Sequence, residues 1–342
     1  MSNPKMNGGG SVRIAFRLRK LISLTVVGLI LLTLFFSSYP DIKLSIGYIF
    51  SANPMLYLAS FISVTLGIAA YSESWRILLK ATGSPIDFVS SLKIILGSIF
   101  LNLAIPTASI GGELFRIYTV NRRYGCSYEI ASATVLLHRI FSLLPFLLGS
   151  IIGFLYLSMS FTLTSMLFQM FSKIAIVIAI FSLLALVMII YPKIIFTTIK
   201  PILKLIGSKS EKLYSRIEVF VYKFDYSMKL ITTTKKIVVL SISLSWIAWI
   251  LDVMVAYFVF LSLRYTIEVP IIISIYTIGI TIQMIPIGIP GMIGVVETIM
   301  AALYSLVGIP SAISVAATLM IRIVMLWFEI AIGGIALISL RM

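Results

Sequence analysis

The fold is decided by the stretch GSIFLNLAIPTASIGGELFRIYTVNRR, residues 97–123. It begins as an apolar segment, is interrupted at Pro106 and at the pair Gly111–Gly112, and then continues with charged residues. Inside a bilayer such a break is tolerated only where the backbone is buried in protein or lines a water-filled cavity. Because ionisable side chains are costly at that depth, Glu113 and Arg116 are candidates for function.

The same plan occurs a second time in GITIQMIPIGIPGMIGVVE, residues 279–297. The interrupting residues are Pro286, Pro290, Gly291 and Gly294, and the acid that follows them is Glu297. The segments after the two breaks also match, since YGCSYEIASATVLLHRI at 124–140 aligns with VGIPSAISVAATLMIRI at 307–323. This alignment pairs Arg139 with Arg322 and indicates an internal duplication.

The composition is that of a membrane protein. Of the 342 residues, 60% are hydrophobic and only 11% are charged, and the mean hydropathy is +1.11. A soluble domain would carry about 25% charged residues, so the sequence predicts an all-α polytopic membrane protein. The net charge of +15 is expected from basic cytoplasmic loops that face anionic lipid rather than from nucleic-acid binding.

The chain contains one cysteine, Cys126, and one histidine, His138. A single cysteine excludes an intrachain disulfide and a cysteine-based metal cluster, and a single histidine excludes a multi-histidine site. We therefore expect no metal and no cofactor.

The basic residues are concentrated in two segments. Residues 1–20 contain five Lys or Arg and no acid, and they precede an apolar span at 21–38 that is too long for a usual signal-peptide core. Residues 193–236 contain ten Lys or Arg and three Asp or Glu, with apolar residues at helical spacing. By the positive-inside rule both segments are cytoplasmic. The second segment is predicted to form amphipathic helices on the membrane surface, and a solvated basic linker is the alternative.

Charge also decides between two topologies. Eight full crossings would place Arg122, Arg123 and the segment 193–236 outside, against the positive-inside rule. If residues 86–123 instead enter and leave on one side as a re-entrant hairpin, all these basic residues are cytoplasmic. The repeat then predicts a second hairpin at 270–308.

The predicted architecture therefore has six full spans plus two re-entrant helical hairpins. The first repeat covers 21–157 and the second covers 166–340, and the two have opposite orientation, as in many transporters. Both termini are cytoplasmic. The loops 39–54, 158–165 and 264–269, which carry little charge, lie outside.

In this arrangement Glu113, Arg139, Glu297 and Arg322 lie toward the middle of the bundle. Pairing each acid with an arginine removes most of the cost of burial, so the pairs can simply lock the broken helices. In the functional interpretation the arginines, together with Arg116, bind a phosphate, and the acids take up protons.

Two further ionisable residues, His138 and Asp252, fall inside predicted spans. Each is a secondary candidate for the site. The alternative is a buried polar residue whose hydrogen bonds are satisfied within the bundle.

Three motifs carry a resemblance to a known family. Asn102 and Pro106 followed by GGELFR at 111–116, the arginine of VLLHR at 135–139, and PGMIGVVE at 290–297 are similar to the lysylphosphatidylglycerol synthase transmembrane region, also called the flippase-like membrane family. In the multiple peptide resistance factor, a region of this kind moves an aminoacylated phospholipid between leaflets. By this resemblance the functional positions are Asn102, Pro106, Gly111, Gly112, Glu113, Arg116, Arg139, Gly291, Gly294, Glu297 and Arg322. The sequence departs from the family pattern at Met292, where a glycine is expected.

The resemblance implies a flippase-like translocase of the cell membrane, which moves a phospholipid or polyprenyl-linked lipid with an anionic head group between leaflets. The expected partners are anionic membrane lipids and not nucleic acid. No aminoacyltransferase or glycosyltransferase domain is present in the sequence, so we do not expect an enzyme. Two alternatives stay open, which are a secondary transporter of a small solute or ion and a lipid-dependent membrane transferase.

Overall fold

The computed structural model describes residues 42–105, 110–160, 210–283 and 288–340, together with a few single residues between 26 and 37 and at 173 and 180. These residues form helices and short connections, without a β-strand among them. The predictions for residues 1–20, for Pro106 and for most of 166–209 lie outside the described residues.

Ten α-helices account for the described residues between 42 and 340. They are α1 Ile42–Phe50, α2 Pro54–Ala81, α3 Phe88–Ala104, α4 Ile110–Tyr124, α5 Tyr128–Ser160, α6 Ser210–Thr233, α7 Lys235–Ser262, α8 Val269–Gln283, α9 Val295–Leu306 and α10 Ser311–Ser339. A 3₁₀ turn at Pro290–Met292 precedes α9, and α10 contains a π-helical stretch at Ile323–Phe328.

Four described helices, α2, α5, α7 and α10, are long and apolar enough to cross a bilayer. Helices α2 and α7 each have 28 residues. At about 1.5 Å per residue such a helix reaches about 42 Å, which exceeds the hydrocarbon core of about 30 Å. The prediction of an all-helical, multi-pass membrane protein is confirmed.

Each predicted hairpin contains a pair of shorter helices, α3 with α4 and α8 with α9. They have between 12 and 17 residues, which correspond to about 18–26 Å and fall short of the hydrocarbon core. In the first pair the Gly112 amide donates to Asn102 Oδ1 at 2.7 Å beside the break. Farther from the break, Gly97 faces the ring of Phe115. Helices α3 and α4 therefore run antiparallel.

The most extensive helix–helix interface joins α2 and α7. Ser63 Oγ donates to the Leu251 carbonyl at 2.7 Å, and Ser74 Oγ lies 2.8 Å from Ser241 Oγ. Because higher numbers on α2 meet lower numbers on α7, the two helices run antiparallel. Between these contacts Gly67 abuts Ala248, and such small residues allow transmembrane helices to approach closely.

The first helix of each short pair packs on a long helix from the other part of the chain. Helix α3 packs on α10, where a Cβ on Gly333 would lie 2.6 Å from the Leu96 carbonyl oxygen. Helix α8 packs on α5, where a Cβ on Gly153 would lie 2.9 Å from the Ser274 Cα. Glycine is required at both positions because any side chain would separate the helices.

Two segments that were not predicted as membrane spans are helical as well. Helix α1 lies within the predicted loop 39–54 and packs on the first part of α10. Its sequence, IKLSIGYIF, is apolar enough to form a short packed helix, which the low charge of the loop did not reveal. Helix α6 covers the C-terminal part of the basic segment 193–236 and buries Phe224, Met228 and Ile231.

Candidate functional site

A buried ion pair joins α9 and α10. Arg322 Nε donates to Glu297 Oε1 at 2.7 Å, and Arg322 Nη2 donates to the Gly291 carbonyl. The other carboxylate oxygen, Glu297 Oε2, accepts from the Gly294 amide at 2.7 Å. Arg322 is 4% exposed and Glu297 is 3% exposed. The pair therefore ties α10 to the broken backbone before α9 and satisfies both carboxylate oxygens.

The backbone of this break explains its glycines. Gly291 has φ +56° and Gly294 has φ +85°, in the left-handed region that glycine occupies at low cost. Met292, where the family pattern predicts glycine, also has a positive φ of +51°. A side chain is uncommon in this conformation, so the departure at Met292 places a strained residue within the break.

A second ion pair joins α4 and α5. Arg139 Nη1 donates to Glu113 Oε1 at 3.0 Å, with the two side chains 29% and 18% exposed. Glu113 Oε2 has no hydrogen-bond partner among the described residues. Each glutamate thus pairs with the arginine of its own half, which the sequence had left open.

A contact between Asn102 and Gly112 stabilises the start of α4. The Asn102 side-chain oxygen accepts from the Gly112 amide, one of the amides that the first turn of a helix leaves without a backbone acceptor. A Cβ on Gly112 would lie 2.6 Å from Asn102 Oδ1 and would clash with Ser98. Gly112 is therefore required for the close approach of α3 and α4, while Gly111 lies at the start of the same helix.

Arg116 and His138 form a separate polar contact. Arg116 Nη2 lies 2.9 Å from His138 Nδ1, and the guanidinium carbon lies 4.3 Å from the centre of the Trp75 ring. Arg116 is 1% exposed and His138 is fully buried. The contact holds α4, α5 and α2 together.

A cavity of about 260 Å³ lies among α2, α3, α7, α8, α9 and α10. Its polar wall is formed by Tyr71, Asn102, Asp252, Tyr276, Gln283, Arg322 and Glu329. Within that wall the Tyr276 hydroxyl donates to Asp252 Oδ2 at 3.2 Å. Helices from both halves of the chain contribute, so the cavity lies between the two halves.

The cavity brings together only some of the predicted residues. Asn102, Arg322 and Asp252 line it. Glu297 does not line the cavity, but it accepts a hydrogen bond from Arg322. The pairs Glu113–Arg139 and Arg116–His138 are not among the lining residues. Pro106 lies outside the described residues.

Sequence reasoning missed Gln283, Tyr276, Tyr71 and Glu329 as cavity residues. The sequence pattern could have indicated Gln283 as a site residue, because it lies shortly before Pro286 in the second break, as Asn102 lies shortly before Pro106 in the first. Glu329 is an acid within an apolar span, but its direction depends on the π-helical stretch at Ile323–Phe328. Such stretches are frequent at functional sites and have no plain sequence signature.

Comparison with known proteins identifies the family of this chain. The family model of the lysylphosphatidylglycerol synthase transmembrane region matches residues 20–333. A UPF0104 membrane protein of Pyrococcus horikoshii is 25% identical over 93% of this chain and 96% of its own length. A UPF0104 membrane protein of Methanothermobacter thermautotrophicus is 24% identical, over 84% of this chain and 86% of its own. One of Methanocaldococcus jannaschii is 25% identical, over 89% and 90%.

Proposed function

The chain belongs to the lysylphosphatidylglycerol synthase transmembrane-region family, and from this premise we propose that it is a lipid translocase. It moves a phospholipid or a polyprenyl-linked lipid with an anionic head group between leaflets and leaves the lipid chemically unchanged. The observation that carries the proposal is the cavity between the two halves, with a buried arginine, Arg322, in its wall.

The size of the cavity suits a head group. This cavity encloses about 260 Å³, somewhat less than the volume of about 300–1,000 Å³ of pockets that enclose a whole ligand, so it has room for a head group but not for an entire lipid. A phosphorylated head group fits in such a space, while the acyl or prenyl chains stay in the surrounding lipid. Exposed apolar side chains such as Leu66, Ile151 and Ile247 provide an outer surface that those chains can contact.

The chemistry of Arg322 suits a phosphate. A guanidinium presents planar donors that match phosphate oxygens, and Arg322 is already oriented by Glu297 and by the Gly291 carbonyl. An incoming phosphate competes with Glu297 for this guanidinium. Arrival of the head group therefore loosens the contact that ties α10 to the break before α9, and binding is coupled to movement of that break.

An inverted repeat supports the translocase proposal. In this architecture there are six full spans and two re-entrant hairpins, α3 with α4 and α8 with α9. Helices α2 and α7 occupy corresponding positions in the two halves and run antiparallel, as an inverted repeat requires. The same correspondence relates the contact of α3 with α10 to the contact of α8 with α5.

The proposal is tested by lipid exchange in liposomes. The protein is reconstituted with fluorescent anionic phospholipid, fluorescent polyprenyl phosphate or a neutral lipid, and a membrane-impermeant quencher measures the outer leaflet. We expect exchange of an anionic lipid above protein-free vesicles, and recovery of the lipid unmodified. The double variant Glu297→Gln with Arg322→Gln, which leaves no buried charge unpaired, should abolish this exchange, whereas Lys43→Gln, which removes an exposed charge on α1, should not. The absence of exchange for every anionic and polyprenyl lipid would contradict the proposal.

A secondary transporter of a small solute or ion is the second candidate, and the acids of the cavity favour it. Asp252 and Glu329 both line the wall, while the charge of Arg322 is balanced by Glu297. A cavity with two carboxyl groups in excess attracts a proton or another cation. Isotope uptake into the same vesicles distinguishes this candidate, because a solute transporter accumulates the isotope without exchanging lipid.

A further inference from the structure

We propose that Arg116 and His138 form a second, closed subsite, which binds an anionic phosphate oxygen when Tyr71 moves aside. Arg116 lies on α4, His138 on α5 and Tyr71 on α2. The inference rests on the proposed function in naming a lipid phosphate as the natural ligand. The geometry of the subsite does not depend on that function.

The tautomer of His138 follows from its contact with Arg116. The contact joins Arg116 Nη2 to His138 Nδ1 at 2.9 Å. Because a guanidinium nitrogen only donates, Nδ1 is the acceptor and the imidazole proton is carried by Nε2. Neither His138 Nε2 nor Arg116 Nε has a hydrogen-bond partner among the residues that the structure describes. Two adjoining side chains therefore each present a buried, unmatched N–H donor.

The Arg116 charge interacts with the neutral Tyr71 hydroxyl but contacts no carboxylate among the described residues. Within the described part of the chain, Arg116 forms no salt bridge, and Glu113, one turn earlier on α4, is paired with Arg139. The Trp75 ring at 4.3 Å supplies a cation–π contact, but it offers no hydrogen-bond acceptor comparable to an oxygen. The Arg116 cation has one unmatched donor, Nε, and the adjoining His138 provides a second, Nε2. The pair therefore suits an anionic oxygen, and a phosphate is one of the groups that a guanidinium binds well.

Tyr71 separates this subsite from the cavity. Its ring lies 4.1 Å from the His138 ring, and the same residue lines the cavity between the two halves. One aromatic ring thus stands between the unmatched donors and a space that can hold a head group. Rotation of the Tyr71 side chain would join the two.

The corresponding positions of the second half, which the structure describes, do not carry a donor pair. Met300 stands three residues after Glu297, as Arg116 stands three residues after Glu113. Ile321 precedes Arg322, as His138 precedes Arg139. Met300 and Ile321 both line the cavity. Positions that are apolar walls of the cavity in the second half are thus occupied by a donor pair in the first half, so the subsite additional to Arg322 belongs to the first half.

The test measures anion binding through Trp75 in the full-length protein. Replacing Trp246, Trp249 and Trp327 with Phe leaves Trp75 as the only tryptophan, and its emission reports on the adjoining guanidinium. The probes are inorganic phosphate, phosphatidic acid and diacylglycerol, each added to protein in an uncharged detergent. We expect a saturable change with phosphatidic acid and none with diacylglycerol. A response to phosphatidic acid alone assigns the subsite to a lipid head group, and a response to inorganic phosphate as well assigns it to phosphate in general.

Substitutions separate binding from folding. His138→Leu removes the Nε2–H donor and should weaken phosphatidic acid binding about 10- to 100-fold, the effect of one charge-assisted hydrogen bond. His138→Gln retains an acceptor for Arg116 and a free N–H donor, so it should bind nearly as the wild type does. Tyr71→Ala should speed the approach to saturation, whereas Tyr71→Phe, which keeps the ring, should not.

Three results would overturn the subsite. They are an equal response to diacylglycerol, equal affinity in His138→Leu and the wild type, and no response in either the wild type or Tyr71→Ala. None of these depends on lipid exchange between leaflets. A protein that binds phosphatidic acid here but exchanges no lipid would contradict the proposed function and leave the subsite in place.

Discussion

At the scale of single residues, the two glutamate–arginine pairs differ although they match in sequence. The side chains of Glu297 and Arg322 are 3% and 5% exposed, while those of Glu113 and Arg139 are 18% and 29% exposed. The second pair is less enclosed by protein, so loss of one partner leaves the other charge less deeply buried. In the first pair, loss of one partner leaves a buried charge without compensation. The two halves should therefore respond unequally to the same substitution.

This difference gives a stability prediction. Glu297→Gln should destabilise the protein strongly, by about 3–5 kcal/mol, because Arg322 stays buried and charged. Glu113→Gln should cost less, because the Arg139 side chain that it leaves unpaired is less enclosed by protein than Arg322. Thermal unfolding of the purified variants in one detergent measures the difference.

Two controls accompany these variants. Glu73→Gln breaks the partly exposed pair with Arg76 within one helix and should shift the melting temperature less than Glu297→Gln does. The double variant Glu297→Gln with Arg322→Gln removes the stranded charge and should recover part of the loss. Equal destabilisation by Glu297→Gln and Glu113→Gln would show that burial does not determine the strength of the two pairs.

At the scale of helices, close packing rather than hydrophobicity fixes the arrangement. Lipid tails are as apolar as the side chains, so small residues and interhelical hydrogen bonds provide the association. The contact of α2 with α7 uses Ser63, Ser74 and Gly67 for this purpose. The contact of α3 with α10 uses the neighbouring glycines Gly333 and Gly334.

Replacing each of these two glycines by alanine should have opposite effects on stability. A Cβ on Gly333 would lie 2.6 Å from the Leu96 carbonyl oxygen, whereas a Cβ on Gly334 would lie 3.5 Å from the Phe100 ring, an ordinary contact. Gly333→Ala should therefore push α10 away from α3 and lower the melting temperature. Gly334→Ala should leave the melting temperature unchanged or raise it, because alanine favours a helix by up to about 1 kcal/mol over glycine. A loss of stability from Gly334→Ala equal to that from Gly333→Ala would show that the clash is not the cause.

At the scale of the whole molecule, the proposed topology places both basic segments in the cytoplasm. A test replaces Cys126, the only native cysteine, by serine and introduces single cysteines at Arg122 and at position 209. Both should react with an impermeant maleimide only when the cytoplasmic face is accessible. A cysteine at Glu268, in the loop between α7 and α8, should react from the opposite face. Labelling of either basic position from outside the cell would reject the two re-entrant hairpins.

The sequence predicts the elements of this architecture better than their contacts. Because a buried charge must be balanced, the sequence predicts that the two glutamates pair with arginines, and the structure pairs Glu113 with Arg139 and Glu297 with Arg322. It does not specify the cavity, because Asp252 and Glu329 come together only through the packing of α7 against α10 and the π-helical stretch. Nor does it predict that Arg116 contacts His138, because that contact depends on how closely α4 approaches α5.

The packing of the short helices on distant long ones has a consequence for biosynthesis. Helix α3 is completed by α10, which leaves the ribosome last among the described helices. Until then the carbonyl of Leu96 and the ring of Phe100 face lipid or the insertion machinery rather than Gly333. The pair of helices α3 and α4 therefore lacks its final packing partner until translation ends. A chain that stops before α10 should be recognised by membrane quality control as an incomplete protein, even though most of its spans are already in place.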